Sequence, residues 1–212
     1  MGSDQERKDP YWDLTFEPTV FLRLEIFVQE SVGSHFLADV TTQFRSLKTM
    51  AERAMAQVTD TELFATLDSE SNSIAVIMKH LAGNMRSRWT DFLTSDGEKP
   101  DRNRDSEFEM ATGQLRPALL EQWESGWKCL FETFEALSEN DLSRTVRIRG
   151  QGHSVVQAIN RQLTHYACHV GQIVFLAKHL RSKDWQSLSI PRGKSAEFSA
   201  NMGRTHQPKE ER

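Results

Sequence analysis

Apolar residues recur at alternating spacings of three and four along nearly the whole of this 212-residue chain, a period that suits helices. In the first helical region, Thr19 to Val58, the stripe is Phe36, Val40, Phe44, Leu47, Ala51, Ala54 and Val58. Gly33 is expected to separate a leading helix from the main one. A second helix follows the polar run from Asp68 to Ser73, which is rich in N-cap residues. It carries Ile74, Met78, Leu81, Met85, Trp89 and Phe92, with Gly97 and Pro100 marking its end. Pro117 suits the first turn of a third helix bearing Leu120, Trp123, Trp127, Leu130, Phe131, Phe134 and Leu137. The alternating stretch from Thr145 to His153, with its two glycines, predicts a small hairpin or extended turn. The fourth helix, about Ser154 to Leu180, has the seam Val155, Ile159, Gln162, Tyr166, His169, Ile173, Leu176 and Leu180. Four stripes facing one core predict an all-α fold, a four-helix bundle.

The expected organisation is an N-terminal extension (1–18), a single helical domain (19–200) and a polar tail (201–212). Between the second and third helices lies a charged connection, Thr94 to Gly113. A connection of that length crosses the fold, covers a site or is disordered. The net charge of -4 and pI near 6.0 argue against nucleic acid as a partner, because the basic footprint of such binders is missing. No apolar run approaches the roughly 18 residues needed to span a membrane, and Met1 to Pro10 has no signal-peptide core. The two cysteines, Cys129 and Cys168, form neither a zinc-type pair nor a disulfide framework. The expected location is the cytoplasm.

The strongest local signal is the pair His165 and His169. Residues four apart on a helix lie about 40° apart around the axis and about 6 Å along it, so two imidazoles can converge on one metal ion. The spacing alone is weak, because short motifs recur by chance. Position strengthens it: His169 stands on the apolar seam where an aliphatic residue is expected, and a polar group there needs a partner. His80 borders the core-facing stripe of the second helix and is the third candidate ligand. Taken alone it reads as a core-edge histidine bonded to a carbonyl; only joint placement with the pair reverses that. Three imidazoles leave a coordination position open, as catalytic sites require. His35, His153, His179 and His206 read as structural or surface residues. Asn84 and Arg88 follow His80 at spacings of four and are candidates for substrate contacts, as is Arg161. A solvated or inter-helical face accounts for all three equally well. Cys168 points about 100° away from His169 and reads as packing.

Two segments carry a family resemblance. The run from Asn72 to Trp89, which contains His80-Leu-Ala-Gly-Asn84, resembles the second-helix motif of the DinB-like (YfiT-like) superfamily of metalloenzymes. The run from Ala158 to Gln172, which contains His165-Tyr-Ala-Cys-His169, resembles its fourth-helix motif. The segments Asp96 to Asp105 and Ser189 to Ser195 resemble one bacterial subfamily of unknown function. The resemblance implies a four-helix bundle in a mirror-like variant of up-and-down topology. It maps the metal ligands onto His80, His165 and His169, with nickel or zinc as the usual occupant. It also implies a small-molecule substrate such as a low-molecular-weight thiol, and a homodimer.

The leading expectation is therefore a metal-dependent transferase that activates a thiol at a three-histidine divalent metal ion. A metal-dependent hydrolase is the first alternative, although no carboxylate lies on the His165 face within one turn. A non-catalytic metal-binding or stress-response bundle is the second.

Overall fold

The computed structural model describes residues 31–205. The expected extension 1–18, the leading helix before Gly33 and His206 lie outside them. Six α-helices are present among these residues: α1 (Val32–Met55), α2 (Asp60–Phe64), α3 (Ile74–Trp89), α4 (Arg116–Ala136), α5 (Val155–Arg181) and α6 (Ser195–Thr205). One antiparallel hairpin, β1 (Thr145–Ile148) and β2 (Gln151–Ser154), completes a mostly helical fold. No helix among the described residues is long and apolar enough to cross a membrane.

The starts of α3 and α5 follow from side-chain caps. Ser73 accepts from the Val76 amide at 3.2 Å. Ser154 and Gln157 form a reciprocal capping box at the start of α5. The short helix α2, which apolar spacing does not predict, rests on the same chemistry between Thr59 and Glu62. The chain after Ser195 forms α6 as far as Thr205, so the helix runs into the first residues of the expected polar tail.

Helix α3 is buried on nearly every side, packing against α4 and α5, while α1 lies along α5. Phe44, Trp89, Trp123, Trp127 and Tyr166 anchor the core, with Phe44 edge-on to Trp89, Phe134 and Tyr166. Gly33 sits in the first turn of α1, just after the Ser31 N-cap, where a Cβ would stand 2.8 Å from the Glu139 side chain. Two details depart from expectation. On α4 the buried stripe starts at Leu119 and leaves Leu120 37% exposed, because Trp123, Trp127, Leu130 and Phe134 continue from Leu119 at spacings of four and three. On α5 the seam runs Gln162, Tyr166, Val170 and Ile173, so Val170 takes the core position expected for His169.

The hairpin and the charged connection are tied together. Arg149 and Gly150 form the tip, both with positive φ (55° and 75°), as a two-residue I′ loop requires. The Asp96 carboxylate accepts from both tip amides, at 2.8 and 2.7 Å, and the Gly97 amide donates to the Arg147 carbonyl at 2.8 Å. Further along, the Lys79 ammonium holds the Ser106 and Glu109 carbonyls at 2.7 and 2.6 Å. The connection therefore lies over α3, with a 3-10 turn at Asp105–Phe108. Of the three expected courses, it crosses the fold.

Candidate metal centre

His80 on α3 meets His165 and His169 on α5, and one ring nitrogen from each lies within 4.8 Å of the others. This group could hold a metal ion. The His80 and His165 Nε2 atoms are 3.3 Å apart. Two nitrogens bound at the usual zinc distance of about 2.0–2.1 Å to one tetrahedral ion stand roughly 3.3 Å apart, so the spacing fits without movement. His80 is buried; His165 and His169 are half-buried and face a cavity of about 500 Å³.

The outward nitrogens are also arranged. His80 Nδ1 lies 2.9 Å from a Glu107 carboxylate oxygen, which fixes the proton on Nδ1 and leaves the Nε2 lone pair pointing inward. His169 Nδ1 lies 2.8 Å from the Gln172 amide oxygen, one turn further along α5, with the same consequence. An outer acceptor on each imidazole is the usual support of a metal-binding histidine. Phe108 lies against the His80 ring at 4.8 Å, closing the site from the connection side.

Glu107 is the carboxylate that sequence reasoning missed. It is 6% exposed and also accepts from Arg102 Nε and a terminal nitrogen of the same guanidinium, both at 2.8 Å. Burial would raise its carboxyl, but the hydrogen bonds from His80 and Arg102 outweigh that and hold it below the usual carboxylate range. Both of its oxygens are thereby committed, so Glu107 orients and does not serve as a free base. In the sequence it stands inside a mixed-charge cluster, with no periodicity to set it apart.

His165 is kept neutral. Burial first, then the neighbouring His169 and His80 and the Arg88 and Arg102 charges, push its pKa down to about 3. His169 is also shifted down, by burial against the opposing pull of Gln172. Neutral imidazoles are the form a metal requires.

Asn84, Arg88 and Arg161 all line the cavity, together with Arg102, Arg104 and Arg149. The Asn84 oxygen accepts from the Tyr166 hydroxyl at 3.1 Å, which in turn accepts from the Trp89 indole at 3.1 Å. That chain leaves the Asn84 amide nitrogen to the cavity. Arg88 is 5% exposed and bonds to the Gly97 carbonyl and to Glu98. Arg161 is exposed at the rim. The remaining described histidines stand apart: His35 is exposed on α1, His153 is in β2, and the exposed His179 stacks on Phe175 near the end of α5. Cys168 is exposed rather than packed, and it and Cys129 are free thiols.

The chain matches the sequence profile of a family described as "Protein of unknown function (DUF1572)" over residues 31–194. No curated protein matches it.

Proposed function

The chain belongs to the DUF1572 family of proteins of unknown function, and we propose that it is a metal-dependent enzyme of the DinB-like kind. In this reading α1, α3, α4 and α5 form a four-helix bundle, and His80, His165 and His169 hold one divalent ion, nickel or zinc. The observation that carries the proposal is the pair of outward supports, Glu107 on His80 and Gln172 on His169, beside a His80–His165 nitrogen pair at ligand spacing, with the His169 nitrogen within 4.8 Å.

A bound ion in such a site lowers the pKa of a thiol or water placed at its open position. The chain's own residues do the rest. Glu107 and Gln172 hold two imidazoles in the tautomer that presents a lone pair. Phe108 and the connection shield the His80 side from water. Asn84 offers a fixed amide donor to a bound substrate. Among the described residues no carboxylate at the centre is free to act as a general base, which favours a thiol-activating transferase over a hydrolase.

Elemental analysis of the purified protein, followed by assays of thiol-dependent group transfer and of ester and amide hydrolysis, tests the proposal. Stoichiometric metal, lost in His169→Ala, and turnover that requires a thiol are the expected results. Protein that takes up no metal, or that hydrolyses esters equally well without thiol, refutes it.

A further inference from the structure

Five guanidinium groups line the cavity beside the histidines: Arg88, Arg102, Arg104, Arg149 and Arg161. Among the described residues only two carboxylates pair closely with them. Glu98 is shared by Arg88 (2.9 Å), Arg102 (3.3 Å) and Arg149 (3.0 Å), and Glu107 is taken by Arg102 and His80. Asp105 lies 3.9 Å from Arg104 but is 95% exposed, so it offsets little in water. Arg161 makes no ion pair among the described residues. The wall thus carries a positive excess, in a chain whose net charge is -4. Clefts lined by one sign of charge concentrate the opposite sign.

Two buried polar atoms of the same lining lack partners among the described residues, Arg88 Nε and Gln162 Oε1. Such atoms are uncommon in folded proteins, and a bound water, ion or ligand supplies the missing bond. One is a donor and the other an acceptor. The accessible members of the wall are Arg104, half-exposed with its guanidinium over the Phe108 ring at 4.9 Å, and Arg149, half-exposed at the hairpin tip with its Nε on Glu98 at 3.0 Å. Arg161 completes the rim from α5. Arg88 and Arg102 are buried in their ion pairs and set the field, whereas Arg149 and Arg161 present exposed guanidinium groups.

We infer that the cavity binds an acidic substrate, with a carboxylate or phosphate held by Arg149 and Arg161 while its reacting end lies at the histidines. This rests on the metal-centre reading only for the position of the reacting end; the anion subsite stands on the arginines alone.

Binding is measured by calorimetry on the full chain, both metal-loaded and chelator-treated, at low salt. The probes are 3-mercaptopropionate, neutral 2-mercaptoethanol, succinate and inorganic phosphate. In the loaded protein 3-mercaptopropionate should bind at least tenfold more tightly than 2-mercaptoethanol. The double variant Arg149→Gln/Arg161→Gln should abolish that preference, whereas Lys178→Gln/Arg192→Gln, with the same charge change outside the cavity, should keep it. Both changes are at exposed positions, and an unchanged melting temperature confirms the fold. Succinate against phosphate tells which acid is preferred. Equal binding of charged and neutral thiols, or a preference that survives the double variant, overturns the proposal. If no metal is taken up yet succinate or phosphate still binds through Arg149 and Arg161, the acidic subsite holds and the metal reading falls.

Discussion

Glu107 reaches His80 across 27 residues of chain, its carboxylate 2.9 Å from Nδ1, and that contact ties the charged connection to the candidate metal centre. Removing the carboxylate leaves His80 free to turn and Arg102 with only its weaker bond to Glu98. Glu107→Ala should weaken metal binding about 10- to 100-fold, the usual cost of losing a partner behind a ligand. Breaking the buried pair should also cost about 3 kcal/mol of stability. Glu107→Gln keeps an acceptor for Nδ1 and should lose less on both counts. Competition against a chromophoric chelator and urea melts of the three proteins check this.

Gly83 offers a route to the same contact without touching it. A Cβ at Gly83 would stand 2.3 Å from a Glu107 oxygen and 2.8 Å from its carboxyl carbon. In an exposed helix, Gly→Ala would stabilise by about 1 kcal/mol. Here the carboxylate must move away from His80 and Arg102, and charge-assisted bonds are each worth roughly 1.5–3 kcal/mol. The second effect is larger. Gly83→Ala should therefore lower both stability and metal affinity, and a gain in melting temperature would contradict it.

What the sequence disclosed and what it hid follow one physical line. Regular spacing exposed the four long helices and the His165–His169 pair, because helix geometry relates residues three and four apart. His80 was legible only through its motif and its place beside the stripe. Glu107 was not legible, since no period links a residue in an irregular connection to a helix it crosses. The same limit hid Arg104 and Arg149, which reach the cavity through the tertiary course of the connection and the hairpin. The error at His169 was one of phase: the seam shifts from Tyr166 to Val170, and a stripe read at three or four cannot choose between adjacent positions. That shift leaves His169 half-buried at the cavity wall.

The low pKa of His165 gives a pH dependence of known sign. Its imidazole titrates near 6.5 in an unfolded chain and at about 3 in the fold. Between those values the unfolded state binds more protons, so acid favours unfolding and stability rises with pH across that window. Metal-free protein should lose stability progressively as pH falls from about 6.5 toward 3. His165→Gln should flatten that part of the profile. Urea melts at several pH values, with wild type and variant side by side, measure the difference; parallel profiles would show that His165 is not held neutral.

Metal binding itself should appear as stability, because the three nitrogens come together only in the folded chain. Free metal at 100 times its dissociation constant adds about 2.7 kcal/mol. For a protein of this size that corresponds to a rise in melting temperature of roughly 5–10 °C. A chelator should reverse the rise. His169→Ala removes one ligand and should abolish most of it, whereas His179→Ala, whose ring stacks on Phe175 outside the cavity lining, should leave it intact. If metal raised the melting temperature of both variants equally, the binding would lie elsewhere, on surface groups unrelated to His80 and the pair on α5.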